Sequence, residues 1–243
     1  MKIIKLNAID STNSYLINLA KNNKIDDLTI VVANVQNKGR GQLKATWKSS
    51  LGQSLTFSMF KRFENLSVKE IASVSFAVSM GVYTALQKFQ VPKVKVKWPN
   101  DIMSQSKKMA GILIENQVKQ DKIVSSVIGI GINVNEKQFN DLPQATSMRL
   151  GTGINYNLEE VLHLVSEAIV NELKLLENNT FAKIKSRYEE NLFRKEKISV
   201  FETPEGIRFN GKIKGVAKTG ELIIEDEEEQ LTTYQLKEIK LLF

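Results

Sequence analysis

Four separated stretches of the chain combine residue types that can handle an anion. Gly39-Arg40-Gly41-Gln42 places an arginine between two glycines. The backbone there can approach a ligand closely, its N–H groups can form an anion-binding nest, and the guanidinium adds a forked cation for carboxylate or phosphate. Lys97-Trp98-Pro99-Asn100-Asp101 ends a basic, aromatic segment in a proline-fixed turn followed by an amide and a carboxylate. Lys107-Lys108-Met109-Ala110-Gly111-Ile112-Leu113 brings a lysine into a strand beside small residues that leave room at the backbone. Gly129-Ile130-Gly131-Ile132-Asn133 sets two glycines on one strand face, which would clear a cavity beside an amide. Each has a plainer alternative: a solvated turn, an Asx turn, a lysine guarding a sheet edge. The glycine spacing of the last lacks the third glycine of a dinucleotide-binding fingerprint.

The chemistry available is narrowed by what is missing. Cysteine is absent and the single histidine is His163, so thiolate nucleophiles, Cys zinc sites and His-rich metal sites are excluded. His163 sits among Leu162, Leu164 and Val165 and reads as a helix-surface or packing residue. With 34 Lys+Arg against 27 Asp+Glu the net charge is +7, but the basic residues are interleaved with acids, as an acidic or phosphorylated partner would accept equally well. No apolar run approaches the ~20 residues of a membrane span, and the polar N-terminus offers no signal peptide, so a cytoplasmic protein without membrane contact is expected.

The elements that must position these residues follow from periodicity. Lys2 to Leu6, Leu28 to Val35 and Leu55 to Phe60 read as strands, with helix-capping candidates at Asp10-Ser11-Thr12-Asn13. Gln36 to Gln53 is too long for a simple hairpin and is a candidate functional loop. Ser67-Val68-Lys69-Glu70 forms a capping box before a helix that runs to Pro92, and Asn157-Leu158-Glu159-Glu160 opens another; Thr180 caps a third. Lys93–Lys97, Met109–Val118 and Ile123–Val134 complete the strands. From about Arg194 short alternating segments predict a small all-β module, with Glu225–Glu229 as a solvated hairpin tip.

The blocks Asp10–Asn13, Gln36–Gln42, Trp47, Lys97–Asp101, Lys108–Leu113 and Gly129–Asn133, in this order, resemble the biotin protein ligase family, and the likeness extends over essentially the whole chain. The resemblance implies an α+β fold: a mixed-sheet catalytic domain of the biotin/lipoate ligase type over residues 1–193, then an SH3-like β-barrel over 194–243. It implies ATP-dependent activation of biotin to biotinyl-5′-AMP and transfer to a lysine of a biotin carboxyl carrier protein, with Mg²⁺. Carried over by position, Ser11, Thr12, Asn13, Gln36, Arg40, Gly41, Gln42, Lys108 and Gly111 would bind biotin. Arg40, Gln42, Trp47, Asn100, Lys108 and Asn133 would bind ATP or the adenylate. Lys108, Arg40 and Asp101 would carry the catalysis, with Asp101 also a candidate for metal contact. The chain departs from the family at Gln42, where many relatives have a second arginine, and at Lys44-Ala45, where a glycine is common and Lys44 offers replacement charge. No operator binding is expected, because the chain starts at the catalytic strand, and a homodimer is left open. The alternatives are a lipoate–protein ligase and a basic nucleic-acid-binding module.

Overall fold

The computed structural model describes residues 1–22, 25–42, 45–140, 142–178 and 180–243. Two sheets organise them. The larger has seven strands in the order β1 (Ile3–Ile9), β2 (Ile30–Gln36), β3 (Ser54–Ser67), β7 (Lys122–Asn133), β6 (Lys107–Lys119), β5 (Asp101–Ser104) and β4 (Val94–Lys97). β1 and β2 run parallel, and every other neighbouring pair is antiparallel, so the sheet is mixed. A parallel pair requires a crossover, and α1 (Thr12–Asn22) supplies it.

Strand alternation gives this sheet two unlike faces. Leu55, Phe57 and Met59 of β3, with Ile128, Ile130 and Ile132 of β7, are buried in the main core with residues of α2 (Ile71–Lys88) and α4 (Leu158–Glu177). The intervening Thr56, Ser58, Gly129 and Gly131 belong to the opposite face, where α1 packs through Leu16 against Val31, Phe60 and Val127. That face is the one with space in it.

Caps differ in detail from those expected. Asn157 Oδ1 accepts from the N–H groups of Glu159 (2.8 Å) and Glu160 (3.4 Å), as the sequence predicts. The Ser67 hydroxyl accepts from Lys69 N–H and opens a short 3₁₀ turn, Val68–Glu70, ahead of α2, and Glu70 makes no capping bond. Thr180 does not cap α5 (Phe181–Glu190): its hydroxyl donates to the Leu175 carbonyl instead. α3 (Met148–Thr152) and the four-residue β5 were not anticipated. The β5–β6 hairpin turns through Gln105 and Ser106 at φ 49° and 69°, a conformation usually signalled by Asn-Gly.

The second sheet is antiparallel with five strands, in the order β11 (Leu231–Tyr234), β10 (Leu222–Asp226), β9 (Arg208–Val216), β8 (Ile198–Glu202) and β12 (Lys240–Leu242). It is tied to the first: Trp98 Nε1–H donates to the Gly220 carbonyl at 2.8 Å, and Glu189 accepts from Val216 N–H at 2.9 Å. His163 lies exposed on α4, as expected. No helix among the described residues is long and apolar enough to cross a membrane.

The tightest helix crossing is at Gly81, where an added Cβ would lie 2.6 Å from Ile169 Cα and 2.8 Å from its N. Helix propensity alone would make Gly81→Ala stabilising by up to about 1 kcal/mol. Backbone atoms of α4 cannot step aside, so overpacking decides the sign and Gly81→Ala is expected to lower stability by about 1–2 kcal/mol. Urea midpoints of the two proteins measure it, and a raised midpoint would contradict this packing.

Candidate active site

One row of cross-strand neighbours runs Lys97, Asp101, Gly111, Gly131, Thr56 across five strands, and a second runs Leu113, Gly129, Ser58. The glycines bare the backbone on the open face. An added Cβ at Gly129 would overlap the Asn13 amide, and one at Gly131 would overlap the Trp47 indole. Without Gly129 and Gly131 neither side chain could reach the sheet.

Lys108 reaches this face because β6 is irregular. Strict alternation would send Lys108 to the helix side with Ala110 and Ile112. Instead Ile102 pairs with Ala110 while Met103 pairs with Lys108, leaving Met109 as an extra, fully buried residue. This bulge switches the parity and re-aims the lysine. Its ammonium lies 2.6 Å from Asp101 Oδ1, and its last carbons pass over Gly111, where a Cβ would come within 3.4 Å. The backbone of Lys108 is held on both sides, its N–H donating to Gln144 and its carbonyl accepting from Thr146.

A chain of polar contacts occupies the α1 end of the site. Thr12 donates from N–H (2.8 Å) and hydroxyl (3.0 Å) to Gln36 Oε1. The Ser58 hydroxyl sits 2.7 Å from the Thr12 hydroxyl and 2.5 Å from Asn13 Oδ1. Asn13 Nδ2 donates to the Leu113 carbonyl and to Glu115 Oε2 at 2.9 Å. Glu115 Oε1 accepts from Arg40 Nη2 at 2.7 Å, and Arg40 Nη1 donates to the Ser14 hydroxyl at 3.0 Å. Ser11, Thr12 and Asn13 are all buried at the start of α1, and Ser11 accepts from Ser14 N–H.

Gly39–Gly41 and Ala45–Trp47 pair with each other above the floor. Trp47 N–H donates to the Gly39 carbonyl, Gly41 N–H to Ala45, and Arg40 and Thr46 form an isolated antiparallel bridge. This corrects the expectation of a backbone nest: the Gly41 N–H is spent within the loop, and neither glycine takes a positive φ. Gly39 is required because the Trp47 carbonyl lies where a Cβ would be. Any anion here meets the Arg40 side chain. Lys44, with its compensating charge, lies outside the described residues.

These groups line a cavity of about 260 Å³ into which Ser11, Thr12, Asn13, Gln36, Arg40, Gly41, Gln42, Trp47, Asn100, Asp101, Lys108 and Gly111 all face. Asn133 alone among the expected residues is not on its wall. It lines an adjoining hollow of about 570 Å³ that shares Thr46, Trp47 and Lys108 with the cavity. Both amides also bond to backbone, Asn100 to the Ile112 carbonyl at 2.7 Å and Asn133 to Thr146 at 3.0 Å. Among the described residues no group of three or more His, Cys, Asp or Glu side chains could hold a metal ion, and the Asp101 carboxylate is engaged by Lys108.

Sequence reasoning passed over Ser14, Ser58, Glu115 and Leu236. Ser58 and Glu115 were readable in principle, being two residues from Thr56 and Leu113 on the same strand faces. Leu236 comes from the β11–β12 connection of the second sheet, which nothing in its local sequence announces. Lys97 was noted only as part of a motif. Burial lowers the pKa of its ammonium, the Asp101 charge opposes that, and Lys108 adds to the lowering. Its ammonium also sits 5.1 Å over the Phe243 ring.

Residues 6–133, which span β1 through β7, match the family model described as Biotin/lipoate A/B protein ligase family. The bifunctional ligase/repressor BirA of Escherichia coli is 31% identical over 228 residues, covering 91% of this chain and 68% of BirA. The biotin–[acetyl-CoA-carboxylase] ligase of Paracoccus denitrificans is 28% identical over 74% of this chain and 76% of that protein. A biotin protein ligase from Aquifex aeolicus, solved with biotin and ATP, superposes with TM-score 0.80 at 29% identity, over 99% of this chain and 98% of that one. A mixed sheet with this site therefore defines a ligase. The chain belongs to the biotin/lipoate A/B protein ligase family.

The fit of Trp47 into the bared floor is testable. In a Trp98→Phe background, which leaves Trp47 as the one remaining indole of the two in the chain, Gly131→Ala should expel it into water. The expected result is red-shifted emission and stronger acrylamide quenching; an unchanged spectrum would mean that the indole does not rest on Gly131.

Proposed function

We propose that the protein joins biotin to ATP, giving biotinyl-5′-AMP and pyrophosphate, and passes the biotinyl group to a lysine of a biotin carboxyl carrier protein. The observation that carries this reading is the junction at Lys108: a small, polar-ended cavity and a larger hollow meet at one ammonium. A compact ring system with a carboxylate tail suits the first, and a nucleotide suits the second. Ser11, Thr12, Asn13, Gln36 and Gly111 would hold the biotin head, Arg40, Gly41 and Gln42 would cover it, and Trp47, Asn100 and Asn133 would face the nucleotide.

The chemical difficulty is electrostatic. A carboxylate oxygen attacks the α-phosphorus while the bond to the bridging oxygen of pyrophosphate breaks, and both reactants are anionic. Two unit charges at 4 Å repel by only about 1 kcal/mol in water, but by about 4 kcal/mol at an effective dielectric near 20. Lys108 and Arg40 supply positive charge at the point of attack, and positioned charge needs no covalent enzyme intermediate. Magnesium would come with the ATP phosphates; such an ion needs only one or two protein carboxylates, and Asp101, on this cavity's wall, would supply one by exchanging its contact with Lys108.

In the second step a lysine nitrogen attacks the anhydride carbonyl, AMP departs, and the amine loses a proton. At pH 7 only about one in 10³ lysines of ordinary pKa is neutral. Asp101 would orient that amine and accept its proton. The Gly39–Trp47 segment keeps water from the anhydride meanwhile. In this reading residues 194–243 form an SH3-like barrel beside the ligase domain, and the setting is cytoplasmic, where ATP and carrier are at hand.

Lys108→Ala should cut biotin-dependent ATP–pyrophosphate exchange by at least 10²-fold with the urea midpoint little changed, since the side chain is over a third exposed. Running the wild-type protein with lipoate in place of biotin is the companion arm. Exchange with lipoate and none with biotin would overturn the choice of substrate, and normal exchange by the lysine variant would overturn the role of Lys108.

A further inference from the structure

Glu115 is the anion on which the lid cation rests, and its two oxygens face different parts of the site. Oε1 accepts from Arg40 Nη2 at 2.7 Å, and Oε2 accepts from Asn13 Nδ2 at 2.9 Å. Asn13 is buried, and its other end meets Ser58, which meets Thr12, which meets Gln36. One carboxylate therefore joins the polar end of the cavity to the loop that covers it. The Arg40 guanidinium has five N–H donors, of which one goes to Glu115 and one to Ser14. The rest can face a ligand while these two hold the plane of the fork.

We propose that Glu115 is a positioning residue for the lid: held by Asn13, it fixes the Arg40 guanidinium over the cavity mouth. The inference rests on the biotin-adenylation reading above. Asn13 orients Glu115, and Glu115 keeps Arg40 in place when the cavity fills. The lid then retains the adenylate. A salt bridge between surface residues would do none of this; here Glu115 is half-buried and Asn13 is fully enclosed.

The test is retention of preformed adenylate. Purified protein is loaded with labelled biotin and ATP, separated from excess by gel filtration, and the release of labelled biotinyl-5′-AMP is timed. Glu115→Gln, which keeps the shape and the contact to Asn13 but removes the charge, is expected to release adenylate about tenfold faster. Arg40→Ala is expected to do at least as much, and the double variant should be no faster than Arg40→Ala alone, because the two residues act as one unit. Arg40→Lys, a point charge that cannot serve both partners at once, provides a second arm with the same expectation. Release by Glu115→Gln within twofold of wild type, or effects that multiply in the double variant, would overturn the inference while leaving adenylation standing. A wild-type protein that forms no adenylate from biotin and ATP would overturn the activity and this inference together.

Discussion

A sheet can press a ligand against its own backbone only where adjacent strands give up their side chains at neighbouring positions. Gly111, Gly131 and Gly129 do this on two central strands, β6 and β7, and the rest of the site is arranged around the space they leave. Asn13 fills one end of it and Trp47 the other, while Lys108 passes over Gly111. Replacing Gly129 or Gly131 would not remove a contact; it would put an atom where another residue already stands. The helix-covered face shows the opposite solution: Ile128, Ile130 and Ile132 of the same strand are packed solid there. One strand thus serves as core wall and as site floor, through period-two alternation alone.

The site's charges come in pairs. Lys108 sits against Asp101 and Arg40 against Glu115, so neither cation meets the empty cavity uncompensated. An anionic ligand has to compete with carboxylates already in place. The second sheet contributes through Leu236, at the cavity, and through the Trp98–Gly220 bond, which anchors the turn leading into Asp101.

Much of this architecture was legible in advance where a local rule applied. Asn157 caps α4, because that signal is local. Ser67 and Thr180 illustrate the limit: the residue type was right for a cap, but a 3₁₀ turn at one and a bond back to Leu175 at the other used the hydroxyl differently. β5 escaped because four residues are too few for periodicity and its turn, Gln105-Ser106, lacks the usual glycine. The expected residues converge on one cavity except Asn133, which lies one compartment away.

What the chain's residue order determined by itself was the inventory: no thiol, one exposed histidine, an arginine between glycines, a lysine beside a glycine, and alternating strands to carry them. It could not determine on which face Lys108 would emerge, since strict alternation sends it into the core. That was decided by the pairing of β6 with β5, where one strand is a residue longer than its partner and Met109 is squeezed out of register. Glu115 likewise is an ordinary strand carboxylate until Asn13, 102 positions away, and Arg40, 75 positions away, are brought to its two oxygens. Alternation and capping act between neighbours along the chain, and so can be read from it; bulges and polar bridges arise from register between distant segments, which exists only once the sheet has closed.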